Sequence, residues 1–153
     1  QAVRNPGIIE EGASRFGRQC VVLGMDAVAD TRIASGYQVV INGGRLPTEL
    51  DALAWARKAE KLGAGEIVLN SIDADGTREG YEIELTRMIS EAVSIPVVAS
   101  GGAGEPEHLR AVLTDGSADA ALIASMVHYG EYSLPQIKEF LAEHQVPVRL
   151  RYR

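Results

Sequence analysis

Two aspartates in this sequence follow predicted strands, where ligands of parallel α/β folds bind. Asp26 directly follows the apolar run at residues 20–25, and Asp75 lies beside Gly76 in the polar loop at residues 71–80. A carboxylate at the end of a buried strand lies at the mouth of the core, where it can act as a general acid or base. From its position alone, Asp26 fits a helix cap or an ordinary loop residue equally well.

Two segments of small residues could bind a phosphate group. Residues 100–104 read Ser-Gly-Gly-Ala-Gly and precede an amphipathic stretch. Glycines let backbone N–H groups approach an anion closely, and a following helix directs its positive end toward the same point. Ala124 and Ser125, at the end of a strand expected over residues 120–124, could add an N–H group and a hydroxyl. The glycines could instead only turn the chain, but two such strand ends side by side are typical of phosphate sites in barrels.

The composition excludes several other classes of function. The length of 153 residues fits one domain. The formal net charge of −6 argues against nucleic-acid binding. No apolar run approaches the roughly 18 residues that a membrane span requires. The sequence has no nucleophile or dinucleotide motif, its histidines are dispersed, and residues 73–76 lack the remaining ligands of a calcium loop. We therefore expect neither a metal nor a cofactor.

Alternating apolar segments and amphipathic stretches predict an α/β fold built from parallel βα units. A helix over residues 5–17 precedes four units at about residues 20–62, 66–93, 96–115 and 120–144 of a single domain, 1–153. Strands separated by single helices pair in parallel, so their carboxyl ends meet at one edge. The pattern fits an open doubly wound sheet or an arc of a (β/α)8 barrel, and both folds bind ligands at that edge.

Three local details complete the expected fold. Residues 31–34 and 37–41 predict a hairpin after the first strand. Thr48 is the expected N-cap of the helix that follows. Cys20 is expected to be a buried, reduced thiol, because the chain has one cysteine within an apolar run and free cysteines are usually buried. A single reduced cysteine indicates a cytoplasmic protein.

Beyond these general patterns, nearly the whole chain resembles the cyclase subunits of imidazole glycerol phosphate synthase, a family of histidine biosynthesis. The similar segments correspond to the fifth to eighth strands of that family's barrel and to the helix before them. They are Asn5-Pro6 with Phe16-Gly17, residues 22–26, residues 63–77 with Gly80-Tyr81, residues 99–104 with Glu107-His108, and residues 120–125 with His128. The glycine pair alone is shared with the related phosphoribosyl isomerase of the same pathway.

The resemblance implies roles for side chains at both ends of the strands. Asp26 corresponds to one of two catalytic carboxylates, and Asp75 corresponds to a residue near the substrate. Glu66, at the start of its strand, corresponds to a charged residue of the gate that admits ammonia, and Gln19 lies on the same, glutaminase side. The residues that would hold one of the two substrate phosphates are Gly76, Ser100, Gly101, Gly102, Ala124 and Ser125.

The resemblance also implies a reaction and a partner. The family uses ammonia from a separate glutaminase subunit to convert a bis-phosphorylated aminoimidazole carboxamide ribulotide to imidazole glycerol phosphate and aminoimidazole carboxamide ribotide. A complete barrel needs about 250 residues, so the chain would be the C-terminal half of a lyase and would lack the second catalytic aspartate. We expect the chain alone to be inactive. Many members of the family carry a lysine shortly after the aspartate that corresponds to Asp26. This chain lacks that lysine, and its residues 28–30 read Val-Ala-Asp instead.

Two other interpretations stay open. A half-barrel that retains one phosphate site could be a scaffold that forms a homodimer through the unpaired edges of its first and last strands. The chain could also belong to the related isomerase, although residues 70–73 and 125–128 favour the cyclase.

Overall fold

Parallel strands joined by helices form the sheet that organises this protein. The computed structural model describes residues 1–150, and its strands are β1 (Val22–Ala29), β2 (Tyr37–Ile41), β3 (Leu46–Asp51), β4 (Glu66–Ser71), β5 (Val97–Ser100) and β6 (Ala120–Ala121). They lie in the order β3-β2-β1-β4-β5-β6. β1, β4, β5 and β6 pair in parallel, whereas β2 and β3 form an antiparallel extension beside β1. The predicted α/β fold with a mostly parallel sheet is confirmed.

Helices precede, connect and follow the parallel strands. They are α1 (Gly7–Phe16), α2 (Ala52–Leu62), α3 (Ile83–Ala92), α4 (Pro106–Thr114), α5 (Ser125–His128) and α6 (Leu134–Glu143). The first helix starts later than expected, since Pro6 and not Asn5 is its N-cap residue. Within residues 1–150, every helix is too short or too polar to traverse a lipid bilayer.

The larger core cluster lies between one face of the sheet and the helices. Leu23 and Met25 of β1 are buried in one cluster with Trp55 of α2 and Ile89 of α3. Successive side chains of a strand point to opposite faces, so burial alternates along β1. The opposite face of the sheet is more open to solvent, and Val22 on it is 51 % exposed.

The segment after β1 differs from the prediction. β1 itself extends to Ala29 and pairs with β2, so residues 31–34 form part of the turn and not a strand. In this turn the Asp30 N–H donates to the Gly36 carbonyl oxygen at 2.7 Å. Hydrogen bonds from Arg32 lower the pKa of the Asp30 carboxyl to about 2. The polar side chains of this segment therefore stabilise a chain reversal.

The N-cap of α2 is Asp51 and not Thr48. Thr48 lies in β3, where its hydroxyl donates to the Val39 carbonyl oxygen at 2.5 Å. The Asp51 carboxylate accepts the N–H groups of Ala54 at 3.0 Å and Ser35 at 2.9 Å. Because β3 occupies the residues expected to begin the helix, the cap moves to the end of that strand.

Two further expectations are wrong. Cys20 is exposed, because β1 begins only at Val22 and Cys20 belongs to the short 3₁₀ helix Arg18–Cys20 before it. The last strand is Ala120–Ala121 and not residues 120–124, because its ladder with β5 covers only the pairs Val98–Ala120 and Ala99–Ala121. The Leu122 N–H still donates to the Ala99 carbonyl oxygen at 2.8 Å, so the chain remains beside β5.

We predict that Asp51→Ala lowers the free energy of unfolding at pH 7 by about 1–2 kcal/mol, because α2 loses its cap. Burial raises the pKa of this carboxyl, and the N–H donors of Ala54 and Ser35 lower it, with a net lowering. The contribution is therefore present above the ordinary carboxyl pKa of about 4 and is lost as the pH falls. Urea unfolding at pH 7 and pH 3 measures both effects.

The matched control is Asp115→Ala at the C-terminal end of α4, where no helix N-terminus is capped. It should change the unfolding free energy by less than about 0.5 kcal/mol. Equal losses in the two variants would show that Asp51 is not a cap.

Candidate functional site

Polar side chains form one row near the carboxyl end of the parallel pairing, although Asp26 does not end its strand as expected, because β1 continues to Ala29 beside β2. In the pairing register, Asp26 of β1 lies beside Asn70 of β4, and Asn70 lies beside Ser100 of β5. The Asn70 amide nitrogen Nδ2 donates to Asp26 Oδ1 at 3.4 Å. Neighbouring strands are about 4.8 Å apart, so Asp26 and Ser100 are separated by about 10 Å across the sheet. These three residues therefore share one edge.

A cavity of about 160 Å³ opens at this edge. Its wall combines the loop after β4, the loop after β5 and the start of α5. The wall includes Asp75 and all six residues that the sequence analysis assigned to a phosphate. The lining residues are Asp75, Gly76, Arg78, Ser100, Gly101, Gly102, Ala103, Leu122, Ala124 and Ser125.

Backbone N–H groups are the main hydrogen-bond donors of this cavity. Within residues 1–150, the N–H groups of Gly76, Gly101, Gly102, Ala103 and Ser125 donate to no protein acceptor. Several unpaired N–H groups around one concavity form a site that an oxyanion can occupy.

Close contact between two loops fixes the shape of the cavity. The Gly80 N–H donates to the Gly102 carbonyl oxygen at 2.9 Å. A Cβ atom on Gly102 would lie 1.9 Å from the Gly80 carbonyl oxygen, and one on Gly104 would lie 2.2 Å from that of Arg78. Gly102 also has a φ of 100°, which residues with side chains rarely adopt. The glycines thus both turn the chain and allow the loops to touch.

Two side chains support these loops. The Tyr81 hydroxyl donates to the Leu122 carbonyl oxygen at 2.8 Å, and burial raises the pKa of this phenol. His108 Nδ1 accepts the Gly104 N–H at 3.1 Å. Neither residue could be given a role in the site from the sequence, because single aromatic residues near loops have no diagnostic spacing. The Tyr81 contact joins two different βα units. The His108 contact joins the loop after β5 to α4, the helix that follows it.

Asp26 and Asp75 do not line the same cavity. Asp26 is half-buried beside a second cavity of about 170 Å³, which Gly24, Asn42 and residues 1–3 also line. Asp75 is exposed in the loop after β4 and lines the first cavity, of about 160 Å³. The structure therefore gathers the residues predicted to bind phosphate around Asp75, and it places Asp26 on the same edge but two strands away.

Glu66 and Gln19 lie at the opposite end of the strands. Glu66 pairs in register with Val22 at the start of β1, and Gln19 precedes β1 in the 3₁₀ helix. Glu66 and Asn70 are four residues apart on one strand, so they face the same side of the sheet about 13 Å apart. One face of the sheet thus carries Glu66 at one end and the polar row at the other.

Arg78 is a lining residue that the sequence analysis missed. Its guanidinium forms an ion pair with the carboxylate of Glu131, in the segment between α5 and α6. The hydrogen bond and charge of Glu131 raise the pKa of Arg78 above its ordinary value. The partners are 53 positions apart, so local spacing could not reveal the pair. Within residues 1–150, no three His, Cys, Asp or Glu side chains converge as metal ligands would.

Comparison with known proteins assigns the chain to one group. The profile of a family described as "Histidine biosynthesis protein" matches residues 1–133. A relative in Syntrophobacter fumaroxidans named "Imidazole glycerol phosphate synthase subunit HisF" is 65% identical over 97% of this chain and 58% of its own length. A relative of the same name in Desulfosudis oleivorans is 63% identical over 99% of this chain and 60% of its own length. The chain spans about three fifths of the length of these relatives.

We predict that Gly102→Ala destabilises the protein by more than about 2 kcal/mol, because a side chain clashes with the Gly80 carbonyl oxygen and strains the backbone. Gly24→Ala is the matched control, since a Cβ there meets no atom within 4 Å. The control should change stability by less than about 1 kcal/mol. Urea unfolding of both variants measures the difference, and a Gly102→Ala variant as stable as the control would contradict the loop contact.

Proposed function

The chain belongs to the histidine biosynthesis protein family, and on that premise we propose that it is part of the cyclase of imidazole glycerol phosphate synthase. The whole enzyme would use ammonia to convert the bis-phosphorylated aminoimidazole carboxamide ribulotide to imidazole glycerol phosphate and aminoimidazole carboxamide ribotide. We also propose that it is cytoplasmic. The name of the relatives favours this cyclase over the related isomerase.

The observation that carries the proposal is the cavity of unpaired N–H groups at the edge that also bears Asp26. We assign one substrate phosphate to the cavity, with Asp75 close to the substrate. A phosphate bound there would anchor a substrate that extends along the row toward Asp26. The Asp26 carboxylate would then act as the general acid or base of ring closure, with Asn70 holding its orientation through the 3.4 Å contact.

We further propose that the sheet is an arc of a (β/α)8 barrel, with β1, β4, β5 and β6 as its fifth to eighth strands within one domain. Three features support this assignment: the parallel pairing, the placement of the core helices on one face, and the exposed opposite face. The chain would then correspond to the C-terminal half of the relatives. In a barrel the open face would line the interior, and further strands would complete the ring.

Ammonia would enter from the end opposite to the phosphate. Glu66 lies at that end on the same face as Asn70, and Gln19 lies nearby before β1. We assign Glu66 to the gate and Gln19 to the surface that meets a glutaminase subunit. A path inside the barrel would deliver ammonia to the ring without its becoming ammonium in bulk water.

A second candidate is a self-associating phosphate-binding half-barrel. It is favoured by the two-residue strand β6, which within residues 1–150 pairs with β5 alone and leaves its other edge free. The first strand is less open than expected, because β2 pairs with residues 26–29 of β1. Only residues 22–25 of β1 retain an edge for a further strand, so a homodimer would meet through β6 and this shorter segment.

A complementation assay tests the cyclase proposal. We predict no ammonia-dependent turnover by the purified chain, which carries only one of the two acids. A mixture of the chain with the N-terminal part of the Syntrophobacter fumaroxidans relative should restore turnover, measured as product formed from the bis-phosphorylated substrate and ammonium salt. Asp26→Asn in the mixture should lower kcat by about 10²- to 10⁴-fold, because a general acid or base is lost.

The control for that substitution is Asp115→Asn, on the surface at the end of α4, which should keep full turnover. Turnover by the chain alone would refute the missing-acid argument. A mixture that assembles stably and makes no product would refute the cyclase assignment.

A further inference from the structure

We propose that Arg78 is the cationic ligand of the phosphate cavity, and that Glu131 competes with the phosphate for its guanidinium. The inference rests on the proposed function, because it deepens the account of the same cavity. Arg78 would raise the affinity of the cavity for phosphate, and Glu131 would lower that affinity by pairing with Arg78.

Arg78 is placed to meet an anion in the cavity. It is the one cationic residue among the lining residues that the structure describes, since the remainder are small, apolar or acidic. The Arg78 carbonyl oxygen packs against Gly104, and this contact holds the Arg78 backbone in place. The φ of Arg78 is 65°. The side chain can therefore change partners while the loop keeps its position.

Glu131 pairs with the guanidinium of this lining residue. The two side chains form an ion pair in which Arg78 is 42 % exposed and Glu131 is 37 % exposed. An ion pair so accessible to water contributes little to stability, so exchange of the carboxylate for another anion costs little. Glu131 lies in the segment between α5 and α6, and the pair thus joins that segment to the loop after β4.

The local charge explains why such a cation is needed. Asp75 lines the same cavity, and its carboxylate repels a phosphate dianion. The N–H groups of the loops attract the anion, but they carry only partial charges. Arginine adds a full charge and a bidentate donor geometry that suits phosphate oxygens. Glu131 cancels part of that charge while it remains paired.

Titration with inorganic phosphate tests the competition. Dissociation constants for the wild type, Arg78→Gln, Glu131→Gln and the double variant can be measured by phosphorus NMR at fixed salt concentration. We expect Arg78→Gln to weaken binding about tenfold, because a charge-assisted hydrogen bond is lost. Glu131→Gln should tighten binding about two- to fivefold, as expected for removal of an exposed ionic competitor. The double variant should bind as weakly as Arg78→Gln, since Glu131 acts only through Arg78.

Matched controls separate local from general charge effects. Arg87→Gln on α3 and Glu139→Gln on α6 make the same charge changes at exposed positions outside the cavity lining. Each should bind phosphate within about twofold of the wild type, because charges far from the site are screened by salt. Circular dichroism and thermal melting establish that each variant is folded.

The outcomes distinguish the inference from the function on which it rests. If the wild type binds phosphate and the Arg78 and Glu131 variants behave like their controls, the inference is overturned and the phosphate site stands. Tightening by Glu131→Gln that persists when Arg78 is also replaced would overturn the competition. Failure of the folded wild type to bind phosphate would overturn both the cavity's assignment and the inference.

Discussion

The parallel register of β1, β4 and β5 is the constraint on which the rest of the site depends. It sets Asp26, Asn70 and Ser100 side by side at the carboxyl edge, and it sets Glu66 beside Val22 at the other end. A shift of one residue in either pairing would turn the side chains of a strand to the opposite face. Burial of Leu23, Met25 and their neighbours against the helices opposes such a shift, so the apolar core keeps the polar row in place.

Backbone contact then converts this edge into a cavity. Gly102 and Gly104 bring the loop after β5 against the loop after β4, closer than any side chain would allow. Tyr81 lies in the loop after β4, and its hydroxyl joins that loop to the segment after β6 by donating to the Leu122 carbonyl oxygen. Within residues 1–150, the unpaired donors of the cavity belong mainly to the backbone, so the strength of the proposed anion binding would depend on loop geometry and on the charges of Asp75, Arg78 and Glu131.

Much of this arrangement could be predicted from the sequence, because apolar periodicity reports which residues face a core and parallel order reports where strands end. The common edge and the small residues 100–104 and 124–125 follow from those two rules, whereas Gly76 was assigned to the phosphate only through the family resemblance. The extension of β1 past Asp26 was missed, since its pairing depends on the turn that Asp30 and Arg32 stabilise. Two other boundaries were also missed, namely the N-cap of α2 at Asp51 and the start of β1 after the exposed Cys20. The exact ends of helices and strands depend on the segments that pack beside them, which local sequence patterns do not report. Arg78 was missed because its partner Glu131 lies far along the chain.

Amide chemical shifts of the isotope-labelled chain test the central claim most directly. On addition of inorganic phosphate, the account predicts shifts of the amide signals of Gly76, Gly101, Gly102, Ala103 and Ser125, with those of Gln19 and Glu66 unchanged. This pattern would locate anion binding at the carboxyl edge of the parallel strands. Shifts confined to residues at the opposite edge, or the absence of shifts around the glycine loop, would contradict the account.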